Sequence, residues 1–600
     1  MTFTTNTTTG IITTNSNAAQ GITRAYGGKG AFISEWVFKK SDLSVVRAGD
    51  LIKAGGLLLT DGKGGYRPFD PTNDFHLSRF CSADLPAPTA FFNPSSGKGT
   101  QTRIFLAGEE DGGPFRPGQG GRAFGTIVTG PDKGTSYELP YLGKFAWENA
   151  VASPFPQDRT VVMGLDDSEL TNSHVYVYLG QKQTTGLDIQ KAGLVGGSLH
   201  GIRVEDNGLF VRTETNDKVL GARDRQTAAR FVLHSLGDVS RVSGDTQDTD
   251  SLGLLTNFQR VEDGAWDPLH PYDFYFVTTG RVSSSGSTSN NVMNPTRLWR
   301  VSFDDIARPE LGGVVELVLD GPAGVGNGLS HTQPVMMDNL GFTREGNILI
   351  QEDPGNYDRL AKVWLFNPVT QELTEVAAGD PKHFTTGGAK FITRDEESSG
   401  IIDVSDILGE GWFIWDVQAH NRLGGELVES GQIVAMRMRS ITAFPSVRVP
   451  PVDQNVTLGN SLNSSVAAAG TGPFTYQWFW NGQPIVGATE ADVTLYNLVL
   501  NQAGDKLSVR ITGALGSVTS QAATIKVNPA TGQIAAFALH PVITVNGTVG
   551  GKYRVEYRDG LNSTSDWKLL FDITLTQPTQ RVMDDTTANN PLRVYRVVTP

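Results

Sequence analysis

Three apolar strands in this chain end on acids. "RIFLAGEEDGG" ends on Glu109, Glu110 and Asp111, "TVVMGLDDSE" on Asp166 and Asp167, and "NILIQEDPG" on Glu352 and Asp353. Strands are poor in acids, because Glu and Asp fit badly on a pleated, half-buried surface. One such strand would be the accident of a turn. Three imply that one edge of a sheet assembly collects carboxylates. Clustered carboxylates repel and raise one another's pKa. Cations remove that cost, and hard cations such as calcium favour carboxylate and amide oxygens. The chemistry these residues point to is a multi-metal site.

The elements that must position them repeat. "WENAVASPFPQDRTVVMGLDD" starts at Trp147, "VEDGAWDPLHPYDFYFVTTG" at Val261 and "MDNLGFTREGNILIQEDPG" at Met337. Each has an acid, then Asn or Asp, a short apolar strand, a turn and a second strand. "FCSADLPAPTAFFNPSSGKGTQTRIFLAGEE", which carries Cys81, reads as a fourth and longer copy. Sequential β units with weak self-similarity are the mark of a β-propeller, whose blades are small antiparallel sheets around a channel. Equivalent positions of successive blades then converge at one mouth of that channel. Six blades fit the length.

Composition agrees with a mainly β chain of several domains. The 600 residues are too many for one core. Gly (69) and Pro (30) punctuate short apolar runs, and few segments keep a helical period. Acids outnumber bases 63 to 50, for a formal charge of −13. That balance repels nucleic acid, and no basic cluster offsets it. A single cysteine excludes both a disulfide framework and a cysteine zinc cluster. No apolar run is long enough to cross a membrane. The start, "MTFTTNTTTGIITTNSN", lacks the basic and apolar regions of a signal peptide and has no twin arginine.

The expected organisation is a polar lead-in over 1–25, a propeller over 26–445, an immunoglobulin-like β-sandwich over 446–528 and a small β module over 529–600. Pro445, Pro450 and Pro451 mark the first boundary, and "NPATGQ" the second. In "GTGPFTYQWFWNGQPIVGATEADVTLYNL" the alternating apolar residues and the "NG" turn resemble an immunoglobulin-like hairpin, with Trp478 or Trp480 as core tryptophan.

The Cys81 block, "GEEDGG", "WENAV", "RVEDGAWDP", "MMDNLGF" with "ILIQEDPG", and "WDVQAH…LVESGQIV" together resemble the PhoX-type alkaline phosphatases, in matching order over most of residues 75–435. That resemblance implies a propeller holding iron (Fe3+) and calcium (Ca2+) in a central site, hydrolysing phosphate monoesters. It implies Cys81 as a thiolate ligand of iron, and Glu148 and Glu262 as bridging or terminal carboxylates. It places Arg260 on the substrate phosphate, which a guanidinium grips through two oxygens. Glu109 or Glu110, Asp338 and Asn339 would serve calcium or iron, with Asp166, Glu352 and Asp353 as further candidates. The expected reaction is in-line attack on phosphorus outside the cell, in the periplasm or at the cell surface. The sequence departs from the family in three ways. A long segment separates Cys81 from Glu109, Asp338 stands where two copies have Glu, and the twin-arginine signal is absent.

Two other functions stay open at this point. A calcium-stiffened, non-catalytic propeller would act in surface adhesion or assembly, attached through the C-terminal modules. A hydrolase of other esters, a lactonase or phosphotriesterase, would use the same centre. A thiolate is superfluous to the first and Arg260 to a lactonase. His331 and His420 read as hydrogen-bonded structural residues, and the glycine-rich "GGPFRPGQGGRAFG" as a loop over the channel mouth rather than a phosphate loop.

Overall fold

The computed structural model describes residues 3–5, 12–14 and 24–600, except 111–119, 169–171, 207, 215–228, 284–290, 322–331, 358, 422–429, 439–444, 471, 497, 501–503, 514–515, 530–539, 562–565 and 587–591. The chain is all-β and divides into two units. The first comprises Met1–Val452 with Asn463–Val493 and Lys506–Ala523; the second comprises Asp453–Leu462, Thr494–Asp505 and Thr524–Pro600.

Antiparallel sheets follow one another along the first unit. The first runs Phe80–Asp84, Ile104–Glu109, Gly121–Ile127, Ser136–Glu138. The second runs Trp147–Ala152, Arg159–Asp166, Val175–Gln181, Ser198–Asp206, and the third Val261–Trp266, Asp273–Thr278, Arg297–Phe303, Gly313–Asp320. Strand Ala229–Gly237 bridges the last strands of the second and third sheets into one continuous sheet. The fourth runs Met337–Phe342, Ile348–Glu352, Lys362–Phe366, Leu373–Ala378, and the fifth Glu396–Asp403, Trp412–Ala419, Ser430–Arg437. Ile12–Thr14, in the segment read as a polar lead-in, adds to the edge of the fifth sheet with Ile12 opposite Gly431.

The apolar runs are buried on both faces because each sheet packs against two others. Along Arg159–Asp166, Val161, Met163 and Leu165 join Phe276 and Trp299 of the third sheet, whereas Val162 turns to Leu106 and Ala123 of the first. Ile348 and Ile350 pack with Tyr275 and Val277 of the third sheet, while Leu349 meets Phe413 and Trp415 of the fifth. This is the period of two of a strand, read out into two cores. Each such side chain contributes about 1.5–3 kcal/mol by leaving water.

The first strands of the sheets lie side by side in a ring. Trp147–Ala152 touches Phe80–Asp84 and Val261–Trp266; the last touches Met337–Phe342, which touches Glu396–Asp403, and that strand returns to Phe80–Asp84. Among the described residues the ring closes with five sheets, where chain length had led us to expect six. Strand Ala229–Gly237 and helix Gly244–Ser251, between the second sheet and the first strand of the third, take up part of the chain length.

In the segment expected to be immunoglobulin-like, Thr475–Trp480 pairs with the strand ending at Gly513, Trp478 opposite Val509. Trp478, fully buried, is the core tryptophan, and its indole donates to the Glu490 carbonyl (2.9 Å). In the second unit Lys552–Asp559 is flanked by Lys568–Thr574 and Arg593–Val598. Buried Asp584 accepts hydrogen bonds from Arg593 and Tyr595 there.

Candidate metal centre

The second residue of each first strand is Cys81, Glu148, Glu262, Asp338 or Glu397. A β-bulge sets most of them apart from the regular ladder. Trp147 faces Asp166 while Asn149 faces Leu165, so Glu148 is the extra residue. Asp338 is extra in the same way between Met337 and Asn339. In the third sheet the register slips between Val261 and Gly264, across Glu262. Bulges re-aim side chains, and these aim carboxylates at the ring.

Ligand-type atoms of Glu148, Glu262 and Asp338 lie within 4.8 Å of one another, as do those of Cys81, Glu110 and Glu148. Asp353, Glu397 and His420 form a further group of this kind. In four of the five sheets the residue after the second strand joins the ring as well: Glu110, Asp167, Asp353 and His420. Each is held by the same backbone bond, from its N–H to the carbonyl before the first strand, namely Arg79, Ala146, Met336 and Asp395.

Burial and mutual repulsion dominate the electrostatics. The Cys81 thiol is pushed well above its ordinary value by burial first and by Glu148 and Glu110 next. Burial and Glu110 raise Glu148 well above the carboxylate range. Burial, Asp167 and Asp338 do the same to Glu262, and burial, Glu397 and Glu148 to Asp338. Asp353 is raised to about 7 by burial and Glu397. Among the described residues neither oxygen of Glu148, 1 % exposed, accepts a hydrogen bond of good geometry, and nearby Cys81 and Ser82 offset only part of its rise. A buried acceptor left so is costly unless something positive meets it. One thiol and several carboxylates, crowded and short of donors, fit bound cations: thiolate for a softer metal, carboxylate for a hard one.

Two arginines reach ring acids among the described residues: Arg79 pairs Glu110 from the exposed side, and Arg260 enters more deeply. Arg260 donates to Asp167 through two nitrogens (2.9 and 2.7 Å) and to Glu262 (2.9 Å). It has φ 59°, in the left-handed region, as does Met336 (φ 50°) at the equivalent place. Such a backbone costs a side-chain-bearing residue roughly 1–3 kcal/mol, which the surrounding ion pairs and ladder offset.

Several expected ligands are placed elsewhere. Glu109, fully buried, accepts two bonds from the Arg122 guanidinium (both 2.7 Å) and one from Ser78 N–H (2.8 Å). Glu352 does the same with Arg359 (2.9 and 2.6 Å) and Val335 N–H (3.0 Å), and takes the Trp364 indole too. Asp166 accepts from the Ser168 hydroxyl (2.6 Å) and His174 N–H. These acids clamp loops to sheets, and the structure does not bring them to the ring groups. Asn339 accepts from Ser82 (3.0 Å) and Gly400 N–H and donates to Asp338, in a hydrogen-bonded layer below the acids. Glu397, His420 and Asp167 were not read from sequence as ligands. The signal for His420 is its place directly after a second strand, shared with Glu110 and Asp353. His420 Nε2 lies 3.3 Å from Glu397, a contact that serves a structural hydrogen bond as readily as a shared cation. Residues 111–119 of the glycine-rich stretch and His331 lie outside the described residues.

No protein-family model matches this chain, and no curated protein does. Among solved structures it is similar to "Pseudomonas fluorescens PhoX in complex with vanadate, a transition state analogue", with 13% identity over 62% of this chain and 78% of that one and a TM-score of 0.39. It is also similar to a chimeric titin Z1Z2 (20% identity, 15% of this chain and 100% of that one, TM-score 0.14). A third likeness is to domain D1 of Duf (Kirre), at 16% identity over 14% of this chain and 98% of that one, TM-score 0.13. All three are distant relations, and the geometry of the ring stands on its own residues.

Proposed function

We propose that this ring is the channel mouth of a β-propeller and the cation centre of a hydrolase acting on phosphate monoesters. The observation that carries the reading is Glu148. Its two buried oxygens, with no well-formed hydrogen bond, sit among Cys81, Glu110, Glu262 and Asp338, and Arg260 pairs the neighbouring Glu262. Cys81, Glu110, Glu148, Glu262 and Asp338 would hold one set of cations, with iron at the thiolate and calcium at the carboxylates. Asp353, Glu397 and His420 would hold a further calcium. Bound cations supply charge neutralisation at phosphoryl oxygens and acidify water.

The chain's own residues do the rest. Arg260 is held by Asp167 and Glu262 with its side chain about one-third exposed, so part of its fork is open to a phosphate. The two bonds to Asp167 and the one to Glu262 fix the plane of that fork at the ring. The apolar sheets below exclude water, which strengthens every charge interaction in the ring. We place the enzyme outside the cell, where calcium is abundant and the phosphoester substrate is small.

A calcium-only scaffold is the second reading, favoured by the acids and by the C-terminal β segments. Cys81 separates the two. Metal content of protein purified without chelator, wild type and Cys81→Ala, is the test, alongside hydrolysis of p-nitrophenyl phosphate. Iron with calcium, iron lost in the variant, and hydrolysis lost with it are expected. Calcium alone, unchanged in Cys81→Ala, with no hydrolysis in the wild type, overturns the enzymatic reading.

A further inference from the structure

One row of residues runs across the top of each sheet, from the first strand to the second and third. In the first sheet it is Phe80, then Glu109, then Arg122. In the second it is Trp147, Asp166 and His174. In the third, Val261 faces Thr278, which faces Arg297, and the acid is brought in as Glu214. In the fourth, Met337 faces Glu352, which Arg359 pairs. The logic is an apolar first residue, a buried acid taking a backbone N–H, and in three of the four a guanidinium that neutralises it.

The fifth sheet breaks this logic in a specific way. Its row is Glu396, Ala419 and Ser430. The acid has moved to the first strand, where the other sheets are apolar or aromatic. It still takes a backbone N–H, from Ala361 (2.9 Å). Among the described residues no arginine follows. Glu396 is 0 % exposed, and its second oxygen has no partner among them. A Cβ at Gly379 would collide with both oxygens of the carboxylate. Where the guanidinium would stand there is a cavity of about 290 Å³ between the fourth and fifth sheets. Glu396 and Ser430 line it, its walls are Val363, Trp415 and Val417, and the neighbouring charges are acidic, Asp380 and Glu397. His383 is the basic group among its lining residues.

We infer that this cavity binds a small alkylguanidinium, whose fork pairs Glu396 as Arg122 pairs Glu109 and Arg359 pairs Glu352. A buried carboxylate oxygen with no donor calls for one. A guanidinium gives two parallel donors, and its delocalised, weakly hydrated charge tolerates an apolar wall and stacks on an aromatic face such as Trp415. The volume is at the small end of ligand pockets, which suits a guanidinium with a short alkyl tail and excludes a nucleotide. The cavity adjoins the ring through Glu397, which borders both, but the inference does not depend on the ring being a phosphatase centre.

The test uses the full chain, with ethylguanidinium as probe and ethylurea as its neutral isostere, in calorimetric titrations at matched ionic strength. Wild type is expected to bind ethylguanidinium at least tenfold tighter than ethylurea. Glu396→Gln, whose fold is checked by its melting curve, is expected to erase that preference. Ala377→Leu, which fills the cavity without touching the acid, is expected to weaken both ligands. Equal binding of the two ligands to wild type overturns the proposal. So does absence of ethylguanidinium binding, or binding that survives both substitutions unchanged and therefore sits on other carboxylates.

Discussion

Glu109 and Glu110 are neighbours in one strand end, and so are Glu352 and Asp353, yet each pair splits between two fates. Glu109 and Glu352 turn into the sheet and meet arginines that are themselves buried, Arg122 and Arg359. Glu110 and Asp353 turn into the ring, toward Glu148 and Glu397. Neither is enclosed by a buried arginine: Glu110 is paired by Arg79, whose side chain is 63 % exposed. What differs is whether the counter-charge is buried with the acid. Where it is, the clamp is closed; where it is not, we read the position as open to a cation from solution.

The largest effect should come from breaking a closed clamp. Glu352→Gln leaves the buried Arg359 guanidinium without its partner, which costs about 3–5 kcal/mol. Urea denaturation should show that loss in the metal-free and the metal-loaded protein alike. A loss that appears only in the loaded protein would move Glu352 to the metal side of the comparison.

Chelation is next. Bound cations stabilise by about 4 kcal/mol at a thousandfold excess over Kd, so a chelator should lower the melting temperature, and calcium should restore it. The sign of the pH dependence follows from the raised carboxyls. Asp353, Glu148, Glu262 and Asp338 hold protons in the folded metal-free chain that the unfolded chain gives up. Stability of the metal-free protein is therefore full below the ordinary carboxylate values. It falls as pH rises through them, and for Asp353 continues falling until about 7. Thermal melts in chelator should be lower at pH 8 than at pH 5. The opposite slope would show that these acids are already compensated within the chain.

Glu148→Gln should sharpen the contrast by reversing the usual sign. It removes an uncompensated buried charge, so in chelator at pH 8 it should stabilise by about 1–3 kcal/mol. With calcium and iron present it should abolish metal binding and lose that stabilisation. Destabilisation in chelator would mean that Glu148 is a clamp like Glu109.

The smallest stability effect is predicted for Asp167→Asn. Arg260 is one-third exposed, so water screens its loss of a partner and the cost should stay within about 1 kcal/mol. Hydrolysis of p-nitrophenyl phosphate should nevertheless drop by about tenfold, because a fork held by one acid is less well aimed. Asp167→Glu should recover part of it. Unchanged kinetics would separate Arg260 from the substrate.

Much of this was legible in the chain. Period-two apolar runs set between turn residues specify strands, and acids at their ends are improbable without a partner. Cys81, Glu148, Glu262 and Asp338 therefore stood out from their place before short apolar strands. The choice within each acid pair was not legible. It depends on a one-residue bulge and on arginines 13 or 7 positions downstream that reach the acid only once the hairpin has closed. Glu397 was hidden because the fifth sheet carries its acids at the start of a strand. The count of sheets was hidden too, since strand Ala229–Gly237 spends length on a bridge. The sequence by itself determined which segments are strands and that negative charge would gather at their ends, because alternation and propensity are local properties. Only the tertiary structure decided which charges find an internal cation and which wait for one, because that depends on distances across sheets far apart in the chain.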